Sequence, residues 1–217
     1  MSYQDVLEIG VGCGSHAQLL AQKARSFVGI DITDYAVTCT SKRLAAYDLR
    51  GSIMHMDAEQ MGFADNSFDF IWSWGVIHHA ANTRKILEEI HRVLLPEGEA
   101  TIMVYHRSLW NTYIRGGLYY GVLRGEFFQG KSLQRIIQDH TDGALARFYT
   151  VPEWQDLLSD IFLLKKFWVF GSKSQIIPLG YSQTKEFLIS LIPNSLGRLL
   201  TNRPSMGFLL VSTLRKK

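Results

Sequence analysis

Short apolar runs alternate with amphipathic stretches along the first half of the chain. Residues 5–9 are a run typical of a buried strand, and the apolar positions of 16–25 recur at helical spacing. The same alternation then continues to residue 106. It predicts further strands at 26–31, 51–57, within 65–74 and within 94–106, and further helices at 35–48 and 83–95. The helix at 83–95 has a buried stripe, and a turn is expected between it and the fifth strand; the stripe consists of Ile86, Leu87, Ile90, Val93 and Leu94.

Alternating strands and helices with short connections predict a doubly wound α/β fold with a mostly parallel sheet, because parallel neighbours need crossover connections. Such sheets bind ligands at the carboxyl ends of their strands. The polar residues expected at that edge are Glu8 to Gly14, Asp31, Asp57, Ser73 to His79 and His106. We therefore expect the functional site there.

The rhythm changes after His106. Residues 107–150 are rich in aromatics, glycine and arginine, and they are interpreted as an inserted cap or substrate segment of a single domain spanning 1–217. The pattern then predicts a helix at 151–160, a strand at 162–171, helix within 183–200 and a closing strand at 207–214. The last two strands lack a short parallel crossover, which favours an antiparallel edge.

Three glycines, Gly10, Gly12 and Gly14, follow the first strand. Glycine lets the backbone approach a ligand closely, and the following helix start favours an anionic group. The strict dinucleotide spacing fails from Gly10, since residue 15 is serine, although a looser count from Gly12 to Ala17 succeeds. The turn by itself leaves the ligand open.

Three carboxylates narrow the choice. Asp31 ends the second strand, where an acid can bind both ribose hydroxyls. Asp57 ends the third strand and is placed to accept an adenine amine beside the Ala58 amide, with a helix cap as the alternative role. Glu8 would repel a pyrophosphate but is suited to orient the ammonium of an amino acid. Asp31, Asp57 and the Ala58 amide would together hold an adenosine.

At this point the sequence resembles the class I S-adenosylmethionine-dependent methyltransferases, particularly the small-molecule branch similar to quinone-biosynthesis methylases. The resemblance rests on "VLEIGVGCGSHAQLLA", "VGIDIT", "MHMDAEQMGFADNSFDFIWSWGVIHHA" and "RKILEEIHRVLLPEGEATIMVYH", in that order. It implies a Rossmann-like sheet of seven strands with an antiparallel C-terminal edge. It also implies S-adenosyl-L-methionine as cofactor and S-adenosyl-L-homocysteine as product.

The resemblance also assigns roles to individual residues. Glu8, Gly10, Gly12 and Gly14 would line the methionine end. Asp31, with Ile32 beside it, would bind the ribose, and Asp57 and Ala58 would meet the adenine. Ser73, Trp74 and Gly75 would lie near the sulfonium. Trp72 and Trp74 are expected on opposite faces of the fourth strand.

Composition excludes several classes of protein. Of 217 residues, 47% are hydrophobic and the net charge is only +3, which indicates an ordinary globular protein and disfavours a nucleic-acid binder. Cys13 and Cys39 have neither metal-site nor disulfide spacing, so no metal is expected. Without an apolar run long enough for a membrane span, we expect a cytoplasmic protein.

Methyl transfer from a sulfonium depends largely on alignment, and a base is needed only when the acceptor must lose a proton. Histidine is the natural base near neutral pH. The candidates are His78, His106 and His140, each with a structural role as the alternative. The pair His78 and His79 resembles a common pattern of this methyltransferase branch, in which the second histidine usually has a scaffolding role.

The predicted acceptor is a small organic molecule methylated at oxygen, carbon or nitrogen. The aromatics and arginines of 107–150 suit an apolar or aromatic acceptor with a polar handle, or contact with a membrane surface holding a lipid-like acceptor, or simple packing of the cap. The stretch "SWGVIHH" replaces the Asn/Asp-Pro-Pro-aromatic motif of methylases that act on nucleic-acid amino groups.

Family members normally carry an N-terminal helical segment that helps close the site, and here it is expected to be missing. A non-catalytic methyltransferase-like subunit, which binds the cofactor or a protein partner, is therefore the main alternative. A nicotinamide-dependent oxidoreductase is a weaker alternative, because the glycine spacing is poor and the pattern shows no second substrate domain.

Overall fold

The computed structural model describes residues 5–142, 145–180 and 182–217. They divide into two compact units. The first unit draws on Met1–Met103, Gln155–Phe167 and Ser212–Lys217, and the second unit on Val104–Trp154 and Trp168–Val211. The second unit therefore combines two segments of the chain and extends beyond 107–150. The single domain with a cap stays a prediction.

Seven strands form one sheet. They are β1 Asp5–Ile9, β2 Ser26–Asp31, β3 Ser52–His55, β4 Phe68–Trp74, β5 Leu94–Tyr105, β6 Phe162–Phe170 and β7 Leu209–Lys216. Their order is β3-β2-β1-β4-β5-β7-β6. The first five strands pair in parallel, and the C-terminal strands run antiparallel. The predicted Rossmann-like α/β fold is confirmed, with β6 as the edge and β7 inside the sheet.

Eight helices accompany these strands in the part of the chain that the structure describes. They are α1 Ser15–Ala21, α2 Asp34–Ala46, α3 Thr83–Val93, α4 Leu109–Leu123, α5 Leu133–Asp139, α6 Val151–Leu158, α7 Gln183–Ser190 and α8 Asn194–Thr201. Most bounds lie within a few residues of the predictions. Helix α1 ends earlier, because the amides of Lys23 and Ala24 both donate to the Leu20 carbonyl and close a turn.

Hydrophobic periodicity explains how the first unit packs. Helix α3 buries Ile86, Leu87, Ile90 and Val93, the stripe that the sequence predicted. Strand β1 is buried along most of its length, as expected for a central parallel strand. The predicted turn between α3 and β5 is correct only in part. Strand β5 already begins at Leu94, and the backbone departs from extended geometry at Glu97, whose φ is +67°.

The parallel register places the carboxyl ends of three strands side by side. Ile9 of β1 pairs with Ile30 of β2 and with Ser73 of β4. The loops that follow β1, β2 and β4 therefore leave the sheet at neighbouring points. This arrangement brings distant parts of the sequence together at the predicted edge.

The second unit is organised around α4, a wide helix with π-type hydrogen bonding. The indole nitrogen of Trp110 donates to the Gln175 carbonyl at 2.8 Å, and the side-chain Nδ2 of Asn111 donates to the Met206 carbonyl at 2.7 Å. Helix α5 packs against α4. These bonds join the two chain segments of this unit.

Candidate functional site

The glycine loop after β1 is held against the end of β2. The Gly10 amide donates to the Ile30 carbonyl at 2.8 Å. Gly10 has a φ of +78°, and a Cβ there would lie 2.1 Å from a methyl of Val76. At Gly12, with a φ of +51°, an added Cβ would have nothing within 4 Å. Gly10 thus serves close packing, whereas Gly12 faces open space.

Asp31 is fixed at the end of β2 by three hydrogen bonds. Its Oδ2 accepts from the Gly12 amide at 3.1 Å. Its Oδ1 accepts from the amide and hydroxyl of Thr33 at 3.0 and 2.9 Å. Each carboxylate oxygen has two lone pairs, so Asp31 retains acceptor capacity for a ligand. The side chain is therefore oriented before any ligand binds.

A cleft of about 340 Å³ opens beside Asp31 in the first unit. Five of the predicted binding residues line it: Gly10, Asp31, Ile32, Asp57 and Ala58. Asp57 is exposed and also stabilises its own turn, because its Oδ1 accepts the Glu59 amide at 2.8 Å. The Ile32 side chain is 65% exposed, which is unusual for an isoleucine and leaves an apolar surface available to a ligand.

Sequence reasoning missed other cleft residues. The cleft is also lined by Ile9, Ile30, Met56, Glu59, Val76, His79, Ala80, Ala81 and Ile86. The sequence pattern identifies Ile86 only as a core residue of the helix at 83–95. The helical turn Ile77–His79 is too short to give a periodic signal. The remaining predicted residues, Glu8, Gly12, Gly14, Ser73, Trp74 and Gly75, do not line this cleft.

Glu8 is a buried carboxyl with an unused oxygen. It is 1% exposed, its Oε1 lies 3.8 Å from Nδ1 of His16, and no described residue hydrogen-bonds its Oε2. Burial, followed by the charge of Asp31, raises the pKa of Glu8 to about 8. Burial also lowers the pKa of His16. A cationic group delivered to Glu8 would favour its ionised form.

The end of β4 corrects one prediction. Trp72 and Trp74 do not lie on opposite faces, because residues two apart in a strand share a face. Their rings stack with centroids 5.1 Å apart, and the His16 ring contacts both. Ser73 points to the other face and is fully buried. Gly75 turns the chain at a φ of +76°.

Two adjacent histidines follow β4. His78 is fully buried, and burial together with His79 lowers the pKa of His78 to about 3. A histidine with so low a pKa is a weak base near neutral pH. The geometry therefore does not favour His78 as a base, and that role stays a prediction. His79 lines the cleft instead.

The other candidate bases, His106 and His140, belong to the second unit. His106 is 3% exposed, its Nδ1 lies 2.9 Å from the Gly207 carbonyl, and burial lowers its pKa. His140 is half-buried and stacks on Tyr120. Its Nε2 lies 2.5 Å from Oε1 of Glu126. His106 is held in a structural setting, whereas His140 has a carboxylate partner.

Two further properties are recorded for the described residues. No group of histidine, cysteine or carboxylate side chains among them is placed to hold a metal ion. None of their helices combines the length and apolar character needed to cross a bilayer.

Comparison with known proteins agrees with this geometry. Residues 7–102 match the family model described as "Methyltransferase domain". The chain is 34% identical over 107 residues to phosphoethanolamine N-methyltransferase 2 of Caenorhabditis elegans. This alignment covers 48% of this chain and 24% of that protein. It is 31% identical over 97 residues to the demethylmenaquinone methyltransferase of Clavibacter sepedonicus, covering 45% and 39%. The chain thus spans well under half the length of these relatives.

One solved structure is informative about the fold. The N-methyltransferase NodS of Bradyrhizobium japonicum, determined with S-adenosyl-L-homocysteine, superposes with a TM-score of 0.60. The alignment covers 99% of this chain and 79% of that one at 15% identity. This likeness concerns the fold alone.

Proposed function

Because residues 7–102 match the family model described as "Methyltransferase domain", we propose that this protein transfers a methyl group from S-adenosyl-L-methionine to a small organic acceptor. The observation that carries the proposal is the cleft beside Asp31. It brings together Gly10 of the glycine loop, the oriented carboxylate of Asp31 and the exposed side chain of Ile32, all within the matched residues.

The residues of the first unit fit the cofactor by their chemistry. Asp31 would accept a ribose hydroxyl at the remaining lone pair of Oδ2, and Ile32 with Met56 would pack on the adenine. Asp57 and the Ala58 amide would meet the edge of the base. Bound S-adenosyl-L-methionine supplies a methyl group whose leaving group is already activated by positive charge.

Glu8 would hold the ammonium of the methionine portion. Its Oε2 has no hydrogen-bond partner among the described residues, and a buried carboxyl without a partner is costly. A cation there would compensate the charge of the ionised form. Gly12 would leave room for the ligand backbone, since an added Cβ meets nothing within 4 Å.

Positioning of the acceptor supplies most of the proposed rate enhancement, because in-line displacement depends on alignment. Where the acceptor must lose a proton, His140 is the best prepared of the three predicted histidines. Glu126 orients its ring at 2.5 Å, an arrangement that supports proton acceptance by the other ring nitrogen. His78 and His106 are buried with lowered pKa values.

The acceptor is proposed to be a small molecule with an apolar or aromatic body and a polar handle. The relatives named above act, by their names, on phosphoethanolamine and on demethylmenaquinone. Exposed apolar side chains of the second unit, such as Tyr113, Leu118 and Phe128, support an apolar body.

Calorimetric titration with S-adenosyl-L-methionine and S-adenosyl-L-homocysteine, with NAD as control, tests the cofactor assignment. We expect the first two to bind and NAD not to bind. Formation of S-adenosyl-L-homocysteine with an acceptor panel containing phosphoethanolamine and a demethylated quinone then tests transfer. Binding of NAD alone would contradict the proposal.

A non-catalytic subunit is the second candidate, favoured by the burial of His78 and His106. Stoichiometric cofactor binding without turnover on any acceptor would support it. Turnover on one acceptor would exclude it.

A further inference from the structure

The second unit contains a polar cavity that the cofactor assignment leaves unexplained. It measures about 220 Å³ and is lined by Arg115, His140, Thr141, Ser174, Gln175, Lys185 and Phe208. These residues come from five separate stretches of the chain. A second pocket, of about 10 Å³, shares Arg115, His140, Thr141 and Phe208 with this cavity and is also lined by Asn111 and Tyr120.

Two cations line this cavity, and neither has a carboxylate partner among the described residues. Burial, and then the charge of Arg115, lower the pKa of Lys185, so the two groups repel each other. Neither forms an ion pair with any described carboxylate. Like charges held together in a half-buried cavity are unfavourable unless an anion compensates them.

Both cations retain unused donors. The Arg115 guanidinium has five N–H groups and donates to the His140 carbonyl at 3.2 Å. The Lys185 ammonium has three and donates to the Leu179 carbonyl at 2.8 Å. The ring of Tyr120 lies 5.7 Å from the guanidinium carbon, which fixes the direction of Arg115. The remaining N–H groups are available to a ligand.

The neighbouring acids are engaged elsewhere. Glu126 pairs with Lys131 at 2.9 Å and with His140 at 2.5 Å. Asp142 accepts from the Tyr105 hydroxyl at 2.8 Å. Neither carboxylate lines the cavity. The cavity is therefore positively charged, with Phe208 as an apolar wall.

We infer that Arg115 and Lys185 bind the oxyanion of a small molecule, a phosphate or a carboxylate, whose remaining part packs against Phe208. Arginine binds such groups through two parallel hydrogen bonds, and lysine adds a point charge. The identification of this molecule as the methyl acceptor rests on the proposed function. The binding itself does not depend on the cofactor.

Calorimetric titration of the full chain with phenyl phosphate, benzoate and benzyl alcohol, at constant ionic strength and without cofactor, tests the inference. We expect phenyl phosphate or benzoate to bind and benzyl alcohol not to bind, and the comparison of the two anions identifies the oxyanion. Arg115→Met and Lys185→Met should each weaken the binding about tenfold or more.

The control is Arg124→Met, which removes the same charge from an exposed position just after α4. It should leave the affinity unchanged. Arg115→Lys keeps the charge and should retain part of the affinity, even if Arg115→Met fails to fold. Each of three outcomes would overturn the inference. They are binding of benzyl alcohol as tight as that of the anions, an anion affinity in both Arg115→Lys and Lys185→Met equal to that of the unsubstituted protein, and no binding of either anion. Binding of S-adenosyl-L-homocysteine, measured separately, decides the proposed function.

Discussion

The cleft of the first unit and the cavity of the second unit differ in charge and in construction. Carboxylates border the cleft, and they follow strand ends within one repeated strand-helix pattern. Two cations border the cavity, Arg115 from α4 and Lys185 from α7, and the other lining residues lie outside these two helices. An acidic site suits hydroxyl and ammonium groups, whereas a basic one suits an oxyanion. The two units thus offer complementary chemistry for different ligand groups.

The largest expected effect concerns Glu8 and pH. Because the folded state raises its pKa, the carboxyl is neutral in both states below about pH 4.5, and stability is lost as pH rises to about 8. Across that window the free energy of unfolding should fall by roughly 3–5 kcal/mol relative to Glu8→Gln. Denaturant unfolding of both proteins at several pH values measures the difference. A difference that does not vary with pH would contradict the buried, neutral Glu8.

The second effect separates packing from ligand space in the glycine loop. Gly10→Ala combines a positive φ with a clash against Val76, and should cost about 2–5 kcal/mol of stability. Gly12→Ala meets no neighbour, so it should cost about 1 kcal/mol while weakening S-adenosyl-L-homocysteine binding. Thermal denaturation and calorimetry measure both. Equal destabilisation by the two variants would refute the distinction.

The third effect tests the carboxylate character of the cleft. Asp31→Ala should weaken S-adenosyl-L-homocysteine binding by about 1.5–3 kcal/mol, because a charged hydrogen bond is lost. The control is Asp34→Ala, which removes the same charge from an exposed residue paired with His55. An unchanged affinity of Asp31→Ala for S-adenosyl-L-homocysteine would contradict the assignment of Asp31 to the ribose.

The smallest expected effect is none at all, and it tests whether the two ligand sites are distinct. Arg115→Met should leave S-adenosyl-L-homocysteine affinity unchanged, and Asp31→Ala should leave phenyl phosphate affinity unchanged. Both are measured by calorimetry on the same protein preparations. A loss in either crossed titration would contradict the independence of the two bindings.

Much of the first unit could be predicted from sequence. Strand β2 matches its predicted bounds, and the α3 stripe is buried as expected. The positions of Asp31 and Asp57 followed from counting strand ends. The face shared by Trp72 and Trp74 was predicted wrongly, although the two-residue period of a strand was sufficient to find it.

The histidines show the limit of this reasoning. Nothing in the sequence distinguishes a buried His78 from a carboxylate-bound His140, because burial and pairing depend on residues distant in the chain. Glu126 lies 14 positions before His140, and Gly207 lies 101 positions after His106. Their roles as bases therefore stay predictions, and their surroundings were available only from the structure.

The sequence by itself determined the strand-helix alternation, the glycine loop and the acids at strand ends, since these depend on local periodicity and on chain order. The tertiary structure alone decided that Glu8 is buried with no partner for Oε2 among the described residues, that Ile32 is exposed beside a cleft, and that Arg115 and Lys185 share a cavity. The physical reason is that desolvation and charge repulsion depend on distances in space. Those distances are determined by residues that lie far apart in the sequence.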